Sequence, residues 1–512
     1  MKTSWVPKSS ALLTVLLIAA SCITSTTMGF DSSMMNALNI LPSYTDYFHL
    51  TTATLSLNTA ATWMGGGIVC LFYGNIVDYI GRRPALTAAA ALTVCAAIIQ
   101  AAAQNVGMFV TARILLGMGM GASTVSGPTY LAETLPLRWR ALGLGVFFTF
   151  FYVGGLLSAG VTYKTAQYDS TWAWRLPSAL QGVFSVISLC IMPFLPESPR
   201  WLIHHDRHEE ALEVVAATEA DGNKTDVVVL AQYKEIVDTL RFEKEHGKTV
   251  SLKTMINTPS SRKRMMLALS VAICAILSGN NIASYYLSLM LDNAGITDTT
   301  TQLEINIILN AWCLVVAVLG TLMSDYIGRK TQALISTSLL TIFIFMVGAL
   351  TKVYGTSGNT SGVYGTVAAI FLFQGSFSFA WTPLTVLYPP EVLNYPIRAN
   401  GMGVYGVLTK GCGLLTTFAF PYALDAIGWK LYMINGCWDV LELAFVAFFW
   451  IETKGKTLEE IDELIDGKKH SDVPDIGVIR QGKADLGEVL VGLTPPGVDM
   501  KTASADVSTT KE

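Results

Sequence analysis

Twelve apolar stretches of about 20 residues or more dominate this 512-residue chain, at approximately 11–39, 53–77, 84–105, 107–131, 139–161, 173–195, 265–291, 303–325, 330–352, 363–389, 400–425 and 429–452. About 20 apolar residues in a helix cross the hydrocarbon core of a bilayer, and a helix satisfies its own backbone polar groups there. The pattern predicts an all-α membrane protein with twelve transmembrane helices. Composition agrees: 52% of residues are hydrophobic and only 14% charged, against roughly 25% charged in a soluble domain. The surplus apolar surface must face a lipid bilayer. A net charge of -4 gives no basic field for holding nucleic acid, which is excluded as a partner.

Lys2 and Lys8 ahead of the first run have the look of a cleaved leader, but the run stays helix-compatible through Met35 and eleven more follow, so a retained first helix is expected. Residues 196–264 are rich in charge with apolar residues at helical spacing, which predicts a cytosolic connector of short amphipathic helices. The expected organisation is a six-helix bundle over 1–195, the connector over 196–264, a second six-helix bundle over 265–466 and a disordered cytosolic tail over 467–512. With both termini in the cytosol, 28 of the 34 Lys and Arg fall on the cytosolic side, which fixes the orientation.

The eight cysteines lie in apolar runs without a C-x-x-C pair, so neither a disulfide framework nor a zinc site is indicated. His204 and His208 have helical spacing, but a solvated helix face explains them. No nucleophile–base set, phosphate-cradling loop or metal cluster is present, so neither an enzyme nor a cofactor is expected.

The two halves repeat each other. Asp78-Tyr-Ile-Gly-Arg82-Arg83 returns 247 residues later as Asp325-Tyr-Ile-Gly-Arg329-Lys330, between the second and third runs of each half. Glu133 with Arg140, between the fourth and fifth runs, returns 258 residues later as Glu391 with Arg398. A parallel repeat of six helices implies two bundles with a substrate cavity between them near the midplane. Asp78, Arg82, Arg83, Glu133, Arg140, Asp325, Arg329, Glu391 and Arg398 read as a cytosolic ion-pair gate, since a network of weak exposed pairs suits an equilibrium that must tip both ways.

At this point the chain resembles the sugar porter family of the major facilitator superfamily, from Gly29 to about Leu464. The resemblance rests on Gly29-Phe30-Asp31, Gly74-x3-Asp78-x2-Gly81-Arg82-Arg83, Arg113-x3-Gly117-x-Gly119-x-Gly121, Pro128-x-Tyr130-x2-Glu133-x2-Pro136-x3-Arg140, Pro196-Glu197-Ser198-Pro199-Arg200, Ser278-Gly279-Asn280-Asn281 with Tyr285-Tyr286, and Glu452-Thr453-Lys454-Gly455. The string Trp381-Thr382-Pro383-x4-Tyr388-Pro389-x-Glu391 is most similar to the fungal lactose permease and cellodextrin transporter branch. The resemblance implies that Asp31 and Arg113 form the proton-coupling pair. It also implies that Gln181 and Asn281 contact substrate, with Asn280, Tyr285, Asn310 and Trp381 as further candidates.

Departures bear on the substrate. Ala275, Ile276 and Phe148 stand where many members carry sugar-binding amides, and Val386 where hexose carriers have a tryptophan. Amides read the paired hydroxyls of a polyol, so hexose recognition is in doubt. Lys410, mid-span in the eleventh run, has no membrane interface within reach. It is expected either to contact a polar or anionic substrate or to pair with Asp439 or Glu442.

The resulting expectation is proton-coupled transport of a sugar or sugar-like solute, possibly a disaccharide, by alternating access. The alternatives are an uncoupled facilitator, a carrier of a sugar acid or other anion, and a transporter-like nutrient sensor. A monomer in the plasma membrane, glycosylated at outward-facing Asn359, completes the reading.

Overall fold

The computed structural model describes residues 6–7, 9–246, 257–355, 357, 359–393, 395–454, 461 and 464–465. Every regular element among them is helical. The first half comprises α1 (Ser10–Ile40), α2 (Thr52–Cys70), α3 (Tyr73–Ile80), α4 (Arg82–Ala101), α5 (Val106–Thr134), α6 (Leu137–Thr165) and α7 (Trp172–Ile191). Three connector helices follow: α8 (Pro199–His204), α9 (His208–Glu219) and α10 (Val227–His246). The second half comprises α11 (Pro259–Leu277), α12 (Asn280–Tyr285), α13 (Leu287–Ala294), α14 (Thr299–Ile327), α15 (Arg329–Tyr354), α16 (Thr360–Val392), α17 (Tyr395–Ile427) and α18 (Lys430–Phe449).

Eight helices are each long and apolar enough to cross a membrane, and α2 with α3, bent by 55° at Leu71–Phe72, makes a ninth. The broken α11–α13, together with α6 and α17, complete twelve spans in two six-helix bundles. The apolar run at 265–291 suggests one straight helix, yet it breaks twice. Gly279 adopts φ +82, a left-handed conformation favoured by glycine, and Tyr286 leaves helical geometry.

Helix ends follow local chemistry. Thr51 and Thr54 close a capping box on α2, and Asn105 accepts the Met108 N–H at 2.8 Å to start α5. Within the first bundle α1 packs on α6 and α2 on α5. Small residues let the backbones touch: a Cβ on Gly29 would lie 1.7 Å from the Phe151 carbonyl oxygen. The halves meet where α2 packs on α17 and α6 on α14. Each is a second span against a fifth span of the other half, the reciprocal pairing that a parallel repeat produces. The connector has its own apolar cluster, including Leu202, Val215, Val229 and Ile236. Its Asp221 accepts the Ser10 N–H at 2.6 Å and so ties the connector to the start of α1.

Candidate functional site

A small cavity of about 30 Å³ lies between the bundles, with polar groups from Ser32, Ser33 and Asn36 on α1, Tyr152 on α6, Ser284 on α12, Asn306 and Asn310 on α14, and Gln374 on α16. Most of these groups bond across the divide. Asn36 Nδ2 donates to Asn306 Oδ1 at 3.2 Å, Asn310 Nδ2 to Ser33 Oγ at 3.4 Å, and Ser378 Oγ to the Tyr152 hydroxyl at 2.7 Å. The volume suits one or two waters, and the asparagine amides bond largely to one another and to Ser33, while Gln374 Oε1 is buried without a partner. Amides and hydroxyls are the kinds of group that can read the paired hydroxyls of a polyol.

Further bonds close one end of the cavity. Asn36 Oδ1 accepts the Leu287 N–H at 3.0 Å, and Asn39 Nδ2 donates to the Tyr285 carbonyl at 3.3 Å. Next to this closure lies a wider recess of about 150 Å³, lined by Asn39, Tyr286, Ser288, Asp292 and Gln302 among others.

Asp31 sits beside the cavity-lining Ser32 and is 2% exposed. Its Oδ1 receives Arg113 Nη1 and, at 3.1 Å, Gln181 Nε2. Arg113 is fully buried, and its Nε donates to the Asn58 carbonyl at 3.2 Å. The geometry is one carboxylate held by one guanidinium and one amide, in a place where the loss of either charge leaves the other buried and unpaired.

At the other end of the bundles the charge repeat is assembled twice. Arg82 pairs with Asp78 and Glu133, each at 3.0 Å, while Ser198 Oγ donates to Glu133. In the second half Arg329 pairs with Glu391 at 3.1 Å, and Thr453 Oγ1 donates to Glu391 at 2.6 Å. Arg83 lies outside the ion pair and donates from Nη2 to the Pro193 carbonyl at 3.1 Å. The side chains of Arg140, Asp325 and Arg398, and that of Phe148, fall outside the described residues.

Two acids missing from the sequence-based gate complete it. Glu197 Oε1 accepts the N–H groups of Arg82 (2.9 Å) and Arg83 (3.2 Å), and Glu452 accepts those of Arg329 (2.7 Å) and Lys330 (3.1 Å). Each carboxylate caps the N-terminus of the helix that carries its arginine. Burial pushes the Glu197 carboxyl above its usual range, against the opposing pull of the Ser198, Arg83 and Arg82 N–H groups and the Arg82 charge. The signal was available, because Glu197-Ser198 and Glu452-Thr453 stand 255 residues apart, between the 247 and 258 of the other repeats.

The expected substrate residues are dispersed. Asn310 lines the cavity. Gln181 belongs to the Asp31 cluster, and Asn281 Nδ2 donates to Thr416 Oγ1 at 2.7 Å in a buried pair. Asn280 accepts Ser284 Oγ at 3.4 Å, Tyr285 stands edge-on to Trp63, and Trp381 is fully buried against Trp450. The expected pairing of Lys410 with Asp439 or Glu442 is absent from the described ion pairs. Its Nζ lies 5.0 Å over the Trp63 ring, and its stem lies so close to Gly66 that a Cβ there would meet it at 3.2 Å. Lys410 therefore faces α2 across the line where the bundles meet, because Gly66 leaves room for its stem and Trp63 offers a π face to its charge. Asn359 is exposed and accepts the Gly362 N–H at 3.3 Å, which caps α16.

Over residues 17–465 the chain matches the family described as "Sugar (and other) transporter". It belongs to that family. A high-affinity glucose transporter of Kluyveromyces lactis is 29% identical over 464 residues, covering 87% of this chain and 83% of the relative. The MFS-type transporter criB of Aspergillus cristatus is 27% identical over 438 residues, covering 86% and 90%. Among solved structures, the proton:xylose symporter XylE bound to 6-bromo-6-deoxy-D-glucose superposes with a TM-score of 0.75 at 22% identity, covering 89% of this chain and 99% of that one. The inward-open xylose transporter XylE from E. coli gives 0.69 at 22%, covering 88% and 99%. The protein is thus a multi-pass membrane sugar transporter of the major facilitator superfamily, with that superfamily's fold, and not an enzyme.

Proposed function

We propose that the protein carries a sugar or sugar-like solute together with a proton, by alternating access of a cavity between two bundles spanning about 1–195 and 265–466. The observation that carries this reading is the Asp31–Arg113–Gln181 cluster, one residue away in sequence from cavity-lining Ser32. Protonation of Asp31 releases Arg113 and loosens α1 from α5 and α7, and ionisation restores the grip. The cavity groups on α1 move with that change, so proton occupancy and solute binding share one element. One proton driven by ~100 mV provides about 2.3 kcal/mol, and one pH unit adds about 1.4 kcal/mol.

The Trp381–Glu391 string supports a place near the lactose and cellodextrin branch, and hence a disaccharide. The bias of Lys and Arg to one side supports cytosolic termini, and a plasma-membrane location completes the reading. A monomer suffices, because both halves of the cavity come from one chain. Gating falls to the two arginine–glutamate assemblies.

The test is uptake into proteoliposomes under an imposed pH gradient, screened over mono- and disaccharides and sugar acids. Uphill accumulation should require the gradient. Asp31→Asn should abolish accumulation while leaving solute exchange measurable. Accumulation that ignores the gradient, or survives Asp31→Asn, overturns the coupling.

A further inference from the structure

One face of α18 carries Tyr432, Asn435, Asp439 and Glu442, all buried in the second bundle. Asp439 is 0% exposed and Glu442 3%. Each carboxyl has one engaged oxygen: Asn435 Nδ2 donates to Asp439 Oδ1 at 3.2 Å, and Trp438 Nε1 donates to Glu442 Oε1 at 2.5 Å. The other two oxygens, Asp439 Oδ2 and Glu442 Oε2, are buried without a hydrogen-bond partner. So is the hydroxyl of fully buried Tyr432 on the same face. No described ion pair reaches either acid.

An ionised carboxylate away from water and without a cation is strongly disfavoured, and two ionised carboxylates within one helical turn repel each other. A proton on each carboxyl removes both penalties, and the two unpartnered oxygens are where the protons would sit. Among the described residues, the elements around the pair bring no countercharge. From α11 the titratable side chain facing it is the buried Cys274. From α15 the apposed side chain is Phe345, which lies against Gly436. Among the described interactions, α17 directs no charged group at it.

We infer that Asp439 and Glu442 form a second proton-binding site, separate from Asp31–Arg113, which takes up and releases one proton in each transport cycle. The inference rests on the proton-coupled reading above. The mechanical link is Asn435. Its amide packs against Gly279, the left-handed residue at the break between α11 and α12, where a Cβ would meet Nδ2 at 2.9 Å. The far side of that break is α12, which supplies Ser284 to the cavity. When α12 moves to open the cavity, Asn435 loses its support and its hold on Asp439, and water reaches the pair. One proton then passes from a carboxyl to water. The resulting negative charge keeps the second proton in place, and the first is replaced from water on the opposite side after the cavity changes facing.

The test uses the full chain in lipid vesicles, with Asp439→Asn/Glu442→Gln and, as a milder change, Glu442→Gln alone. Membrane insertion of each is checked first. Infrared difference spectra on titration from acid to alkaline pH read protonated carboxyl groups without any solute. The expected result is a protonated-carboxyl signal at neutral pH that persists in Asp31→Asn, is reduced in Glu442→Gln and is lost in the double variant. Proton flux is then compared with solute flux for whichever of D-glucose, D-xylose or cellobiose the vesicles take up. The ratio should be two in the unmodified protein and one in the double variant. A ratio of zero in the unmodified protein would defeat the coupled reading as a whole. A ratio of one that the double variant leaves unchanged, or a neutral-pH carboxyl signal that the double variant retains, would overturn this site alone. Sodium-dependent uptake that disappears in the double variant would overturn the identity of the ion.

Discussion

Glu197 and Glu452 occupy the same place in the two halves of the chain, each accepting the first backbone N–H groups of the helix whose arginine grips Glu133 or Glu391. The correspondence extends to their neighbours. Tyr130 donates to the carbonyl before Glu197 at 2.5 Å, and Tyr388 to the carbonyl before Glu452 at 3.2 Å. Each assembly therefore ties together several elements of its own half, and the described ion pairs stay within a bundle. Glu452→Gln keeps an acceptor oxygen but removes the charge from the N-terminus of α15, which should cost about 1 kcal/mol. Thermal unfolding in detergent should show a lower midpoint, with equilibrium solute affinity little changed. An unchanged midpoint would refute a capping role.

The raised Glu197 carboxyl gives that assembly a pH dependence of known sign. A carboxyl whose proton affinity is higher when packed stabilises the packed form while protonated, and that contribution is lost as pH rises through the raised value. Acidification through the window just above the ordinary carboxylate range should therefore slow the release of the Arg82 and Arg83 amides. Hydrogen exchange at those two amides, corrected for its intrinsic pH dependence, reads this directly. Glu197→Gln should abolish the dependence. A Gln variant with the same pH profile would assign the effect to another group.

The glycine contacts sort into two classes with opposite expectations. At Gly29 a side chain would collide with the Phe151 carbonyl at 1.7 Å, whereas at Gly160 nothing lies within 4 Å. Gly29→Ala should push α1 from α6 and cost at least about 1–3 kcal/mol, seen as loss of folded protein in membranes. Gly160→Ala should be neutral or slightly stabilising in a helix interior. Similar expression and unfolding midpoints for the two variants would show that α1 and α6 are less closely packed than the Gly29–Phe151 approach requires.

Much of this was legible in the sequence because lipid leaves few options: an apolar run of the right length must be a helix, and a repeated run must repeat its place. The charge repeat was legible for the same reason. Asp31 and Arg113 were read together from resemblance, and in the structure they are in contact. The cavity between the bundles was less legible. Asn306, Asn36 and Ser33 sit in ordinary-looking helices, and what makes them cavity residues is which faces the two bundles turn to each other. Gln181 looked like a hydroxyl reader, but a buried carboxylate within its reach is the stronger acceptor. Lys410 was expected to meet a substrate or an acid. No described ion pair joins it to Asp439 or Glu442, and Gly66 and Trp63, far away in sequence, supply a slot and a π face.

That placement sets the expectation for Lys410. A cation over an indole contributes about 0.5–2 kcal/mol, and here the two partners belong to helices of opposite bundles that meet in the observed arrangement. Lys410→Met keeps the stem packed on Gly66 and removes only the charge. It should shift the facing equilibrium by roughly 2- to 30-fold away from this arrangement. Turnover should change accordingly, while intrinsic affinity for a neutral sugar stays within about twofold. Distance measurements between spin labels on exposed positions of α2 and α17 read the shift, and equilibrium binding reads the affinity. If Lys410→Met instead lowered the affinity for a sugar acid and left both the facing equilibrium and neutral-sugar binding unchanged, the lysine would belong to substrate recognition. The line between the bundles would then have to open far enough for a carboxylate to reach Nζ.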